Sequence, residues 1–158
     1  MVCVIEKFFL LSRGAVLWLA LLAPAAVMAS SAVAVSHPWI RFVPGESPMA
    51  GYFELLNQGD EPLVLTGASS QDFGGVMIHQ SAIEHGQASM HHVDGGLSVP
   101  AHGSLRFAPG GYHLMLMGRQ RALKAGDKVT LHLEFRHHPP VDATFPIKPV
   151  WYQEEKSE

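Results

Sequence analysis

The sequence predicts an all-β domain, a sandwich or Greek-key barrel of about nine short strands, and three observations carry that expectation. First, "KVTLHLEF" from Lys128 alternates strictly. Val129, Leu131, Leu133 and Phe135 fall on one face and Thr130, His132 and Glu134 on the other, the pattern of an antiparallel strand with one buried face. Second, turn signals recur along the chain in "NQGDEP", "VDGG", "APGG" and "KAGDK". Third, no helical period persists anywhere.

Taken in order, the expected strands are "AVAVSHPWIRF" from Ala32, "GYFELLN" from Gly51, "PLVLTGA" from Pro62, "GVMIHQS" from Gly75 and "ASMHHV" from Ala88. "SLRFA" from Ser104, "YHLMLM" from Tyr112, "KVTLHLEF" and "DATFPI" from Asp142 complete the set. Each is rich in β-branched, aromatic or other apolar residues and is bounded by residues that break a ladder. "HHPP" at His137 reads as a loop entering the last strand.

The first residues read as a leader. Lys7 and Arg13 precede the apolar run "AVLWLALLAPAAVMA", which ends in small residues with Val27 and Ala29 placed as in a signal-peptidase site. The run is short for a membrane span and is broken by Pro24, so export with cleavage after Ala29 is preferred over an uncleaved anchor; Ala34 is the alternative cut. Residues 1–29 are thus expected to be a signal peptide, 30–150 one β-sandwich domain and 151–158 a flexible tail, with no stable membrane span after cleavage and a periplasmic location.

The mature chain would hold 129 residues, enough for one core, with 9 basic against 13 acidic side chains. That balance argues against nucleic acid as a partner. Cys3, the single cysteine, lies in the leader, so thiolate zinc sites, blue-copper centres, cysteine catalysis and disulfides are all excluded from the exported protein. All ten histidines remain.

Four of the methionines, Met77, Met90, Met115 and Met117, cluster within one 41-residue stretch that also holds several of those histidines. His79 in "MIHQ" is followed after ten residues by Met90 in "ASMHH", and after 22 more by His113 and Met115 in "YHLMLM". Three chain segments therefore offer four donors of one chemical type. Imidazole nitrogen with thioether sulfur suits Cu(I), whereas Ca²⁺ and Mg²⁺ take oxygen ligands. In an oxidising compartment thioethers also remain available where thiols would pair into disulfides.

Over most of the expected mature chain, including "AGYFELLNQGDEPLVLTGASS" from Ala50, "GLSVPAHGSLRFAPGGYHLMLMG" from Gly96 and "LKAGDKVTLHLEF" from Leu123, the sequence resembles the PCuAC periplasmic copper chaperones. The spacer between Met90 and His113 is one residue longer than the family pattern, and "VDGG" is where a glycine can be added without disturbing a strand. The resemblance implies a cupredoxin-like β-sandwich that binds one Cu(I) through His79, Met90, His113 and Met115. It also implies a chaperone, not an enzyme, that delivers copper toward the binuclear centre of cytochrome oxidase. The implied partners are a copper-accepting oxidase subunit or a thiol-bearing assembly protein, and the protein is expected to act as a monomer.

Alternation places Met77 on the face of His79 and Met117 on the face of His113, where both read as packing neighbours. His85, His91 and His92 lie in the hairpin around Met90. Their simplest account is a solvated hairpin; the alternative is a secondary, weaker site for Cu(II) or Zn²⁺. Carboxylates such as Glu54, Asp72 and Glu84 are scattered without paired spacing, and "GASS" has no nucleophile-elbow context, so no catalytic residues are expected.

Overall fold

In the computed structural model of the protein, residues 32–152 are described. The expected leader with its Ala29 cleavage site and residues 153–158 of the expected tail lie outside the described residues. Ten strands follow one another, and no helix occurs among the described residues. They are β1 (Val33–Arg41), β2 (Met49–Asn57), β3 (Leu63–Ser69), β4 (Phe73–Glu84), β5 (Gln87–His92), β6 (Leu97–Val99), β7 (Ser104–Phe107), β8 (Tyr112–Arg119), β9 (Lys128–Phe135) and β10 (His138–Lys148).

The strand order is β5-β4-β8-β7-β2-β1-β10-β9-β3-β6. One leaf, β5 to β1, meets the other, β10 to β6, through a parallel pairing in which Ile40 stands opposite Ile147. Rings join the leaves: Phe53 of β2 stacks on Phe107 of β7 at 4.3 Å and meets Phe145 of β10 edge-on at 5.6 Å. Around them Leu55, Leu65, Leu114, Leu131 and Leu133 are fully buried. The alternation of β9 is realised as read, with Val129, Leu131, Leu133 and Phe135 all in the core. The all-β, cupredoxin-like architecture expected from the sequence is the one observed.

The tenth strand is β6, three residues long and paired with β3 through Leu63–Val99 and Leu65–Leu97. A segment this short carries too little alternation to be read in sequence. In β1 the register shifts between Ser36 and Trp39, where His37 takes a positive φ of 49° and Pro38 has no N–H to give the ladder. The bulge lets Val33 and the Trp39–Ile40 pair all be buried. Between β5 and β6 the "VDGG" turn holds Gly95 and Gly96 at φ 79° and 89°, conformations that suit residues without a Cβ. Past β10 the chain turns back: the Tyr152 N–H donates to the Pro149 carbonyl and the Tyr152 ring packs edge-on to Trp39 at 5.0 Å.

Candidate metal centre

Strand β8 begins after the turn at Gly110 and Gly111 and runs antiparallel between β4 and β2. Its leucines face inward, with Leu114 and Leu116 in the core, so His113, Met115 and Met117 take the opposite face. The neighbouring strand β4 does the same. Ile78 is buried at 2% exposure, and Met77 and His79 therefore share the outer face with the β8 row.

Register then brings the donors together in pairs. His79 stands directly opposite His113, and Met77 directly opposite Met115. The two imidazole centroids are 5.9 Å apart with planes at 70°. On the other side of β4, the hairpin turn at His85 and Gly86, both with positive φ, is the two-residue type that fits the twist of paired strands. Counting back from it, Glu84 faces Gln87, Ser81 faces Met90, and His79 faces His92. The His92 ring lies 5.5 Å from that of His79.

Three histidines on three adjacent strands thus form one row, with thioethers on both sides of it. Met115 and Met77 flank it on one side, and Met90 lies on the other. His113 is buried at 5% exposure and its Nδ1 lies 3.3 Å from the Gly111 carbonyl, an arrangement that directs Nε2 outward when Nδ1 carries the proton. His79 Nδ1 is buried with no hydrogen-bond partner, an orphaned donor atom at the centre of the row. Burial lowers the His79 pKa from its ordinary value, and the neighbouring His113 and His92 lower it further, so the neutral, ligating form is favoured.

No three His, Cys, Asp or Glu side chains converge as a ready metal cage among the described residues. The donors that this face offers are imidazoles and thioethers, a set better suited to a soft metal ion than to Ca²⁺ or Mg²⁺.

All four sequence-predicted donors, His79, Met90, His113 and Met115, lie on this one face. The hairpin histidines do not stay together. His85 is spent on the turn and is exposed, while His91 points to the opposite face with its Nε2 3.3 Å from Glu84. His92 instead joins the row of His79, with Nε2 3.3 Å from Asp94. Sequence reading grouped these three because they are close in the chain; strand alternation separates His91 from His92. The signal that finds this is the "HG" turn, which fixes the hairpin register once it is taken as a two-residue loop. Met90, 51% exposed, borders a shallow groove of about 310 Å³ shared with Ser81, Ile83 and Ala88.

The LpqE-like lipoprotein family matches residues 33–147, from the first strand to the last. Lxx21020 of Leifsonia xyli subsp. xyli is 30% identical over 116 residues, covering 73% of this chain and 69% of that protein. Among solved structures, the copper-bound PCuAC domain from PmoF2 shares the fold with a TM-score of 0.63 at 24% identity, over 77% of this chain and 96% of that one. The Cu(I) form of DR1885 from Deinococcus radiodurans matches at 29% identity and a TM-score of 0.60, over 78% of this chain and 83% of that one. These likenesses run through the whole sandwich and include the strands that carry the histidine row, and by them the chain belongs to the LpqE-like, PCuAC-related family.

Proposed function

We propose that this protein is an exported, envelope-associated copper carrier that binds one Cu(I) through His79, Met90, His113 and Met115 and hands it on for assembly of the cytochrome oxidase copper centre. The observation that carries the proposal is the facing pair His79–His113 with thioethers on both sides and an unpartnered, buried Nδ1 on His79. Two neutral imidazoles and two neutral thioethers leave the charge of Cu⁺ uncompensated, which suits an ion that is held and then released. Low His79 basicity keeps a proton from competing for the ring nitrogen.

Release proceeds by ligand exchange from the exposed side. Met90 is the most accessible of the four donors and is the first that a thiol-bearing assembly protein or an oxidase subunit replaces. Copper is cargo in this scheme, and no bond of a substrate is made or broken, so the role is that of a carrier instead of an enzyme. The copper-bound relatives support the reading. Signal-peptide cleavage after Ala29 leaves β1 whole, whereas a cut after Ala34 would remove Val33, a core residue at 3% exposure.

A second reading has its own observation. Ile83, 75% exposed, and Met90 lie side by side at the hairpin groove and could serve a purely interacting domain. Competition with a chromophoric Cu(I) chelator separates the two. The carrier binds one Cu(I) per chain and binds it far more weakly in the Met90→Leu/Met115→Leu double variant; binding that is weak and unchanged by those substitutions overturns it. Incubating the loaded carrier with an apo oxidase copper domain or a thiol-bearing assembly protein then tests transfer, and copper that moves to neither refutes the delivery role.

A further inference from the structure

We infer that Met77 is a fifth copper donor that exchanges with Met90, so that the ion is held at His79 and His113 while one thioether replaces the other. This rests on the copper reading above and adds a residue that the spacing of the motif does not include. His79 opposite His113 and Met77 opposite Met115 make a two-by-two patch on neighbouring strands. Opposed side chains in such a pair start about 5 Å apart and successive same-face residues about 7 Å apart, within reach of imidazole and thioether arms closing on one ion. Met90 enters from the next strand, beside Ser81, on the far side of the histidine row from Met115. The two methionines of β4 and β5 therefore flank His79 from opposite sides.

Packing does not account for Met77. The core-facing neighbours on its strand are Val76 and Ile78, while Met77 itself is 43% exposed. Exposed strand positions ordinarily favour β-branched or polar side chains. One pair further along, Met117 Cε lies 3.7 Å from where a Gly75 Cβ would stand, so Met117 leans over a glycine while Met77 stays uncovered beside Met115.

In the exchange, the Cu–S bond to Met90 breaks as the Cu–S bond to Met77 forms. Each sulfur supplies its own lone pair, copper stays Cu(I), and no proton or electron moves. Met90 is thereby vacated at the groove for a partner's ligand while His79, His113, Met115 and Met77 retain the ion.

The test is X-ray absorption at the copper edge of the Cu(I)-loaded chain, together with chelator competition. Two sulfurs are expected in the wild type and again in Met90→Leu, with affinity lowered by less than about tenfold. The Met77→Leu/Met90→Leu double variant is expected to show one sulfur and an affinity lower by about a hundredfold or more. A Met90→Leu variant that already drops to one sulfur and matches the double variant in affinity overturns the inference, as does a double variant that keeps two. A wild type that binds no Cu(I) overturns instead the copper reading beneath it. Both positions are exposed, and Met→Ile at each provides a second pair whose circular dichroism and sulfur count must agree with the first.

Discussion

His79 and His113 face each other across the β4–β8 ladder with ring centroids 5.9 Å apart, one held at Nδ1 near the Gly111 carbonyl and the other with its Nδ1 unpartnered. The pair joins a fixed imidazole to one whose nitrogen has no protein partner. Its chemistry is set by the strand register.

Acid should destabilise the apo protein through His79. Its pKa is lowered in the folded state, by burial first and then by His113 and His92, so between the folded and unfolded values the unfolded chain binds more protons. Stability is therefore unaffected by this group well above about pH 6.5, falls as the pH drops through that value, and levels off once the folded value is passed. Thermal melts between pH 8 and 5 should show this slope, and His79→Gln should flatten it; an unchanged slope in the variant refutes the assignment.

Met115 and Leu114 are chain neighbours on opposite faces of β8. Met115→Leu should weaken Cu(I) binding while changing apo stability by only about 0.5 kcal/mol, because its outward volume is nearly conserved. Leu114→Ala, at a fully buried position, should destabilise by about 2–5 kcal/mol. Urea melts of the apo proteins alongside chelator competition give both numbers, and the two variants should exchange rank between the assays.

The two glycines of the β5–β6 turn should respond unequally to alanine. Both have positive φ, but a Cβ on Gly95 meets nothing within 4 Å, whereas one on Gly96 would lie 2.6 Å from the Leu65 carbonyl oxygen. Gly95→Ala should cost about 1–2 kcal/mol from conformation alone. Gly96→Ala adds a backbone clash with β3, and its melting temperature should fall clearly below that of Gly95→Ala; equal losses would show that the turn relaxes away from the strand.

Asn57, buried at 2% exposure at the end of β2, ties the β2–β3 loop to the end of β6 and the loop that follows it. Its Nδ2 donates toward the carbonyls of Glu61, Val99 and Pro100 at 2.8, 3.2 and 3.0 Å, and its Oδ1 accepts from the Gly59 N–H at 3.0 Å. Asn57→Leu strands these buried groups and should destabilise the fold by about 2–3 kcal/mol with copper stoichiometry unchanged. Calorimetry with and without one equivalent of Cu(I) measures both; a loss below about 0.5 kcal/mol would mean that water replaces the amide.

Much of this molecule is legible without coordinates. The strict alternation of Val129 to Phe135 fixes which side of β9 is buried, because burial has the same two-residue period as the backbone, and in β8 the same period puts Leu114 and Leu116 in the core although His113 on the other face is also buried. The turns are legible for a related reason: glycine and asparagine report local backbone demands. The three-residue β6 was not, since its pairing with β3 is a long-range event with almost no local pattern.

The candidate site divides along the same line. The sequence by itself determined its chemistry, a thiol-free set of imidazoles and thioethers, and the faces on which His79, His113 and Met115 lie. Only the tertiary structure decided who stands next to whom: that His92 joins His79 while His91 turns away, and that Met77 sits opposite Met115. Alternation assigns a residue to a face, but the register between strands distant in the chain depends on how the whole core packs, and one residue of slip would exchange every neighbour in the row.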